Sequence, residues 1–284
     1  MKIAGLLTLS FLINAVVGPV IFSDDITADQ ICRKTFARTK EIKTLRYQMD
    51  KQERIGDETF QQISIIKLNR SPYQVYMKQL APKNGLEVLF KEDQNPDKAY
   101  VNTNGFPWIT LKMDPKGHNM LKNQHHTVKD AGFDLVVSLL EHLLDKYASD
   151  LDDMLELGPD TYHQQNNCYQ IVFKNHQFKF IEYTVSDGDD VMSIAKEKNI
   201  SSYLIMEKNN LDHYDDIEEG DTIMIPNDYS PRIELLIDKS RFIPISIKVF
   251  DEQGIFEHYQ YSDVEINPPF TSEDFSRDNP DYGF

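Results

Sequence analysis

The sequence is poor in basic residues, cysteine and tryptophan, and these shortages narrow the range of functions. Its 284 residues carry 30 lysines and arginines against 46 aspartates and glutamates, a formal net charge of −16 at pH 7. Because phosphate binding needs a basic face, this balance argues against a nucleic-acid partner. Two cysteines without a CxxC pair cannot form a structural zinc site alone. We therefore predict neither nucleic-acid binding nor a metal site.

Long apolar runs are also missing, apart from one at the N-terminus. A single lysine, Lys2, precedes an apolar run over residues 3–13, and small residues with Gly18-Pro19 follow. This layout predicts a signal peptide over residues 1–23, cleaved after Ser23. The alternative is a transmembrane anchor, since residues 3–22 approach the roughly 20 apolar residues that span a bilayer. We expect an exported, periplasmic protein that associates with the cell wall.

The two cysteines leave two alternatives open. In an exported protein an even count permits a disulfide, which would join Cys32 and Cys168. The other interpretation is two separately buried thiols, because Cys32 lies on an apolar helical face and Cys168 lies in a strand pattern.

Combinations of residues that carry catalysis are missing as well. Cys168 has His163 and His176 near it in the sequence, but no nucleophile elbow or oxyanion element accompanies them. His125 and His126 are adjacent, so on a strand they would point to opposite faces, and we predict a solvated loop there. Three further carboxylates have no pairing that the sequence identifies: Glu41, Glu53 and Glu87. We predict a non-enzymatic protein without a cofactor.

Apolar periodicity predicts the architecture. Between residues 45 and 113 short alternating segments are separated by turn residues such as Asn104-Gly105, which is typical of an antiparallel meander. Thr27 to Gln30 fits a capping box that starts a helix running to about Lys43. A second helical stripe lies in residues 132–150. Two helices on a curved sheet enclose either an apolar cavity or a filled core.

One segment, residues 183–226, departs from the meander with a strand–helix–helix–strand pattern. It reads YTVSDGDDVMSIAKEKNISSYLIMEKNNLDHYDDIEEGDTIMIP, and Asp190 and Ser201 are placed to cap its two helices. It resembles the LysM module at Tyr183, Val185, Gly188, Asp189, Ile194, Ala195, Ile205, Asn209, Leu211, Gly220, Ile223, Ile225 and Pro226. We call it the inserted module.

The LysM resemblance implies binding of glycans that contain N-acetylglucosamine, such as peptidoglycan. One side of the implied groove consists of Asp187, Gly188, Asp189, Asp190 and Val191. The other side consists of Asn209, Asn210, Leu211 and Asp212. Residues 182–227 contain twelve carboxylates and three lysines, which gives a net charge of −9. Because peptidoglycan is itself anionic, these carboxylates oppose its binding at low salt.

Five segments outside the module carry a second resemblance: IKTLRYQM, PKNGLEVLF, AGFDLVVSLLEHLL, IDKSRFIPISIKVFDEQGIFEHYQYSDVEIN and DFSRDNPDYGF. They resemble an exported family of unknown function with a fold akin to the periplasmic lipoprotein carriers (LolA- and LolB-like). The resemblance implies an α+β fold: a curved antiparallel sheet, or half-open barrel, covered by helices. Residues 24–182 and 227–284 would form this domain around the βααβ module, with FKFIEY and RIELLID as the two arms of the interrupted hairpin.

The carrier resemblance implies an apolar or lipid-like ligand held between sheet and helices. Such carriers also use an arginine on an early strand to lock the closed state, and the corresponding segment SPYQVYMK has none, Lys78 being the nearest base. The alternative is an envelope structural or interaction factor with a filled core and no lipid. Its acidic module would then contact another envelope protein.

Overall fold

An open, curved antiparallel sheet forms the body of the protein in the computed structural model, which describes residues 26–106 and 108–284. The predicted signal peptide, residues 1–23, lies outside the described residues. In chain order the strands are β1 Thr44–Ile55, β2 Glu58–Arg70, β3 Tyr73–Ala81, β4 Glu87–Lys91, β5 Ala99–Asn102, β6 Thr110–Met113, β7 Leu155–Leu157, β8 Thr161–His163, β9 Asn166–Lys174, β10 Phe180–Thr184, β11 Thr222–Pro226, β12 Arg232–Asp238, β13 Pro244–Asp251 and β14 Gly254–Ile266.

Most of these strands belong to one sheet with two free edges. Its order across the described residues is β6-β5-β4-β3-β2-β1-β14-β13-β12-β9-β7, with β8 also paired to β9. The pair β10-β11 forms a separate sheet in the inserted module. Every pairing is antiparallel, which confirms the predicted meander.

Two of the helices, Ala28–Glu41 and Asp134–Lys146, pack against the large sheet in the main hydrophobic core. The α-helices are α1 Ala28–Glu41, α2 His118–Leu121, α3 Asp134–Lys146, α4 Leu151–Met154, α5 Val191–Lys198 and α6 Ser202–Asn209, and 3-10 helices cover Val128–Asp130 and Ser272–Phe275. No helix within the described ranges is long and apolar enough to cross a membrane. The predicted class, an α+β fold with a curved sheet under helices and an inserted βααβ module, is confirmed.

The first helix follows from its local sequence. The Gln30 N–H donates to Thr27 Oγ1 at 3.2 Å, and the Thr27 N–H donates to Gln30 Oε1 at 3.1 Å, so the predicted capping box is present. α1 buries Ile31, Cys32 and Phe36 in the main core. Each such apolar side chain contributes roughly 1.5–3 kcal/mol on burial. The helix ends at Glu41, two residues before the predicted end.

The cysteines are two free, buried thiols, so the disulfide that the sequence permitted is not formed in this structure. Cys32 faces the core from α1, and burial raises the pKa of its thiol to about 12. Cys168 lies on β9, where its Sγ donates to the carbonyl of Asn166 at 3.3 Å. Burial raises its pKa too, so each thiol is held protonated and unreactive.

The hairpin that receives the inserted module differs from the prediction. Its arms are β9 and β12, which pair from Cys168↔Asp238 to Lys174↔Arg232. The segment FKFIEY is not an arm, because its residues 180–183 lie in β10, which pairs with β11. Between the two sheets the Asn175 N–H donates to the Pro231 carbonyl at 2.8 Å, which keeps the two connecting segments together.

Candidate functional site

The first loop of the predicted groove is held by its own carboxylates. Asp189 Oδ2 accepts hydrogen bonds from the Tyr183 hydroxyl and the Ser186 N–H, both at 2.9 Å. Asp190 caps α5 by accepting from the Ser193 N–H at 2.5 Å. Val191 is fully buried in the core of the module. These three predicted groove residues therefore build the loop, whereas Asp187 and Gly188 are exposed on it.

The second loop contains one residue with a structural role of the same kind. The Asn209 side chain donates to the carbonyls of Ile205 and Met224 at 2.8 and 2.7 Å, and it accepts from the Met224 N–H at 2.8 Å. It therefore fastens the end of α6 to β11. Asn210 follows in the left-handed region with φ 54° and is exposed. Leu211 is half-buried and Asp212 is exposed.

A backbone hydrogen bond holds the two sides of the module together. The Val191 N–H donates to the Tyr214 carbonyl at 2.9 Å, which ties the start of α5 to the loop that follows α6. The groups left facing solvent are the Asp187 and Asp212 carboxylates, the Asn210 amide and the Gly188 backbone. Amide and backbone groups suit the hydroxyl and acetamido groups of a glycan. The carboxylates repel an anionic one.

A second candidate site lies inside the large domain. A cavity of about 90 Å³ lies between the sheet and residues 114–133, which we call the cover segment. Its apolar lining consists of Tyr47, Met49, Ile66, Val75, Met77, Met120, Val128, Leu135, Val136 and Tyr261. Its polar lining includes Lys51, Gln124, His126 and Asp130. The cavity is thus mainly apolar, with charged and amide groups on part of its wall.

A buried polar cluster adjoins the cavity and corrects the prediction of a solvated loop at His125-His126. His125 is 2% exposed, and its Nδ1 lies 2.8 Å from Glu257 Oε1 while its Nε2 lies 2.8 Å from the Arg54 carbonyl. His126 Nε2 lies 3.2 Å from the same carboxylate oxygen. The Tyr229 hydroxyl donates to Glu257 at 3.0 Å. His125 is buried and His126 is half-buried, and the Glu257 carboxylate on β14 contacts both.

The cluster strongly perturbs its own acid–base equilibria. Burial acts to raise the pKa of Glu257, but the charge of His126 and hydrogen bonds from both histidines outweigh it and hold the pKa well below the usual range. Burial acts to lower the pKa of His126, but the Glu257 carboxylate outweighs it and raises the pKa to about 9. Burial and the same carboxylate raise the pKa of Tyr229 well above its usual value. The pair therefore exists as a buried ion pair near neutral pH.

The inserted module docks directly onto this cluster. Tyr203 of α6 stacks on His125 with ring centroids 4.5 Å apart, and its hydroxyl accepts from the Gly56 N–H at 2.8 Å. One turn further on, Glu207 accepts two hydrogen bonds from the Arg54 guanidinium at 2.7 and 3.1 Å. Arg54 also pairs with the buried Asp251.

A further contact joins the module to the cover segment. The rings of His213 and His118 meet edge to face, with centroids 4.9 Å apart. His213 directly follows the second groove loop, and His118 begins α2. Together with the Tyr203–His125 stack, the module touches the cover segment at two points.

Sequence reasoning missed Glu257 and Tyr229, and one signal could have found the first. In the β14 segment GIFEHYQY, Glu257 alternates with Tyr259 and Tyr261. A carboxylate on the apolar side of an alternating strand must find a buried partner. Nothing local indicates which residue that partner is, because His125 lies 132 positions away.

The fold and these sites define a two-part α+β protein, in which a helix-covered sheet borders a mainly apolar cavity and a βααβ module is fastened to the sheet domain. The chain belongs to the family described as protein of unknown function (DUF1571), whose model matches residues 42–186 and 225–284. Residues 183–226 match the LysM domain. Both predicted family resemblances are therefore confirmed.

Several solved structures are similar to the chain at low identity. LprF from Mycobacterium bovis is 12% identical, with 86% of this chain and 94% of that chain covered and a TM-score of 0.42. The lipoprotein LppX from Mycobacterium tuberculosis is 9% identical, with 86% and 97% covered and a TM-score of 0.41. A DUF1329 family protein from Desulfovibrio piger is 7% identical, with 88% and 96% covered and a TM-score of 0.36. No curated protein sequence matches the chain.

Proposed function

We propose that this protein is a non-enzymatic component of the cell envelope that associates with peptidoglycan through its LysM module and holds an apolar or lipid-like ligand in its large domain. The observation that carries the proposal is the LysM match across all of residues 183–226. Export to the periplasm through residues 1–23 remains part of the same proposal.

The groove of the module supports the glycan part. Its two loops are tied by the hydrogen bond from Val191 to Tyr214, while Asn210 and the backbone at Gly188 remain accessible. Amide and peptide groups there can hydrogen-bond to any glycan. The Asp187 and Asp212 carboxylates repel peptidoglycan, which is anionic, so we expect its binding to strengthen as salt screens the repulsion.

The sharpest test substitutes Asn210 by glycine, because glycine keeps the left-handed backbone and removes only the amide. Asn199→Gly is a matched control, since Asn199 ends α5 in the same conformation with φ 55° and lies outside the predicted groove. In a pelleting assay with purified peptidoglycan, Asn210→Gly should weaken binding about 2–10-fold, because this is the effect expected when one hydrogen bond is lost. If both variants pellet to the same extent as the unchanged protein, glycan binding in the predicted groove is contradicted.

The cavity beneath the cover segment supports the ligand part of the proposal. At about 90 Å³ it is smaller than the roughly 300–1,000 Å³ of small-molecule pockets, so an acyl chain requires the cover segment to move outward. Such a movement would have to break the hydrogen bonds that hold the cover segment, among them those of His125 with Glu257 and of the Gly132 N–H with Tyr47. Methionines Met49, Met77 and Met120 give the surroundings of the cover segment an adaptable lining.

Mass spectrometry of solvent extracts tests this part directly. Protein purified from its native envelope should carry the same lipid in repeated preparations. Ser64→Leu, which adds an apolar side chain to the cavity wall, should reduce the recovered amount, whereas Ser138→Leu on the exposed side of α3 should not. Preparations that consistently carry no lipid contradict the proposal.

The small cavity favours a second candidate, an envelope structural or interaction factor with a filled core. In that case the extracts are empty, and Asn210→Gly leaves pelleting unchanged because the acidic module contacts another envelope protein. The two experiments thus separate a carrier that is tethered to the wall from an envelope interaction factor without a ligand.

A further inference from the structure

Large apolar side chains are concentrated at one edge of the sheet. Phe106, Trp108, Ile109 and Leu111 are 89%, 70%, 51% and 37% exposed, and they lie in or just before the edge strand β6. We call these four residues the apolar tip. Single exposed apolar residues need no explanation, but four within six positions form a patch of the kind that marks an interaction site.

Within the stretch that carries the tip the charged residues are basic, and Asp97 and Asp114 flank this stretch on its two sides. From Lys98 to Met113 the charged residues are Lys98 and Lys112, with no carboxylate, although the chain as a whole carries −16. At the base of the tip the Tyr100 ring lies 5.5 Å from the Lys112 ammonium and 4.4 Å from the Arg277 guanidinium. Apolar side chains with cations behind them match a bilayer, where acyl chains lie beneath phosphates.

The shape of the tip favours a bilayer over a strand from a partner protein. A partner strand added to the sheet would pair with Thr110–Met113 of β6. Phe106 and Trp108, the most exposed of the four, precede that strand and would stay uncovered. A bilayer surface accepts loop side chains without backbone pairing, and tryptophan is favoured at its interface.

Behind the tip an apolar path leads towards the interior. Val101 and Met113, on β5 and β6, belong to a cluster that also contains Met77, Met120 and Val128. The last three residues line the cavity beneath the cover segment. The edge strands that carry the tip are thus continuous, through apolar contacts, with the wall of the cavity.

We infer that Phe106, Trp108 and Ile109 insert into the surface of a lipid bilayer and dock this edge of the sheet on a membrane. The docking needs neither a bound ligand nor a bound glycan, so it can be tested independently of the proposed function. Trp108 is the single tryptophan of the chain, and its fluorescence therefore reports on the tip alone.

Titration of the whole protein with phosphatidylcholine vesicles, and with mixed phosphatidylcholine–phosphatidylglycerol vesicles, tests the inference. The Trp108 emission should shift to the blue, brominated acyl chains should quench it, and the protein should float with the vesicles. The double variant Phe106→Ser, Ile109→Ser keeps the reporter, and it should partition about tenfold or more weakly.

Leu157→Ser is the matched control, since Leu157 is 44% exposed on β7 at the opposite edge of the sheet. It should partition like the unchanged protein. Circular dichroism establishes that all variants fold. If the wavelength of the Trp108 emission does not change with either vesicle composition, the inference is overturned. Equal weakening by Leu157→Ser also overturns it, as does a blue shift that follows protein concentration without vesicles, which would indicate a second copy of the chain on the tip.

Discussion

Tyr203 of the inserted module and His125 of the cover segment stack almost face to face, with ring centroids 4.5 Å apart and planes 19° from parallel. His125 also stacks on Phe256 of β14 at 4.2 Å. The module therefore completes the burial of a histidine that belongs to the large domain. It is part of that domain's packing, although its sequence forms a self-contained unit with its own core.

Replacing Tyr203 by alanine should lower the unfolding free energy of the whole chain by about 2–4 kcal/mol, because the stack on His125 is lost and a polar ring is uncovered. Tyr203→Phe should cost only about 0.5–1.5 kcal/mol, through the lost hydrogen bond from Gly56. Urea denaturation followed by circular dichroism measures both. Tyr162→Ala is the control, since Tyr162 is 69% exposed. If the Tyr203→Ala variant is as stable as that control, the stack on His125 does not contribute to the stability of the chain.

Arg54 should be the strongest single link between the two parts. Its side chain is 10% exposed and pairs with both Glu207 of the module and Asp251 of β13. Arg54→Met should cost about 3–5 kcal/mol, because it leaves the Asp251 carboxylate buried without a partner. A double-mutant cycle of Arg54→Met with Glu207→Gln should give a coupling of about 1–3 kcal/mol.

The exposed pair Lys174–Glu156 is the reference for this cycle, with side chains 33% and 51% exposed. Such surface pairs couple by at most about 1 kcal/mol. If the Arg54–Glu207 coupling is no larger than that of Lys174–Glu156, the link does not hold the module in place.

Much of the fold could be predicted because its signals are local. Thr27, Asp190 and Ser201 each cap the helix that the sequence assigned to them. Of the two predicted hairpin arms, RIELLID is correct and FKFIEY is wrong, because FKFIEY alternates like any other strand. Whether it pairs with residues 222–226 or with β12 depends on partners about 40 or more positions away, which alternation does not reveal.

The buried cluster could not be predicted for a related reason. His125 and His126 look like polar loop residues until Glu257, 132 positions from His125, is brought against them. Burial of a titratable group depends on its partners in space, since the cost of removing it from water is offset only by them. The predicted groove residues, in contrast, could be assigned from the sequence, but their individual roles could not. They were placed by family resemblance, and side-chain contacts then separate those that build the loops from those that face solvent.

Asn209 should act on stability and not on glycan affinity. Its side chain makes three hydrogen bonds, two to Met224 and one to Ile205. Asn209→Ala leaves the Met224 N–H and carbonyl without these partners, so it should destabilise the module by about 2–4 kcal/mol. In peptidoglycan pelleting below the unfolding transition, the folded variant should bind like the unchanged protein, in contrast to Asn210→Gly. Weakened pelleting at unchanged stability would place Asn209 in contact with the glycan.

The Glu257–His126 ion pair should give the protein a distinctive dependence of stability on pH. The pKa of His126 is raised from 6.5 to about 9 in the folded state, so its contribution is complete below about pH 6.5 and is lost as the pH rises through 9. The pKa of Glu257 is lowered from 4.5, so its contribution is present above about pH 4.5 and is lost on further acidification. The pair therefore stabilises most between about pH 4.5 and 6.5.

The unfolding free energy should then fall by up to about 3 kcal/mol between pH 6.5 and 9, as the His126 proton is lost. The carboxylates of Glu53 and Asp130 act in the same direction on His126. His126→Gln cannot take up the proton, so its stability should change less over this range, and the difference from the unchanged protein should shrink towards pH 9. His176→Gln, at an exposed position, should follow the unchanged protein throughout. A difference between the unchanged protein and His126→Gln that stays constant from pH 6.5 to 9 would show that His126 is neutral in the folded state, because only loss of a bound proton makes the stability fall with rising pH.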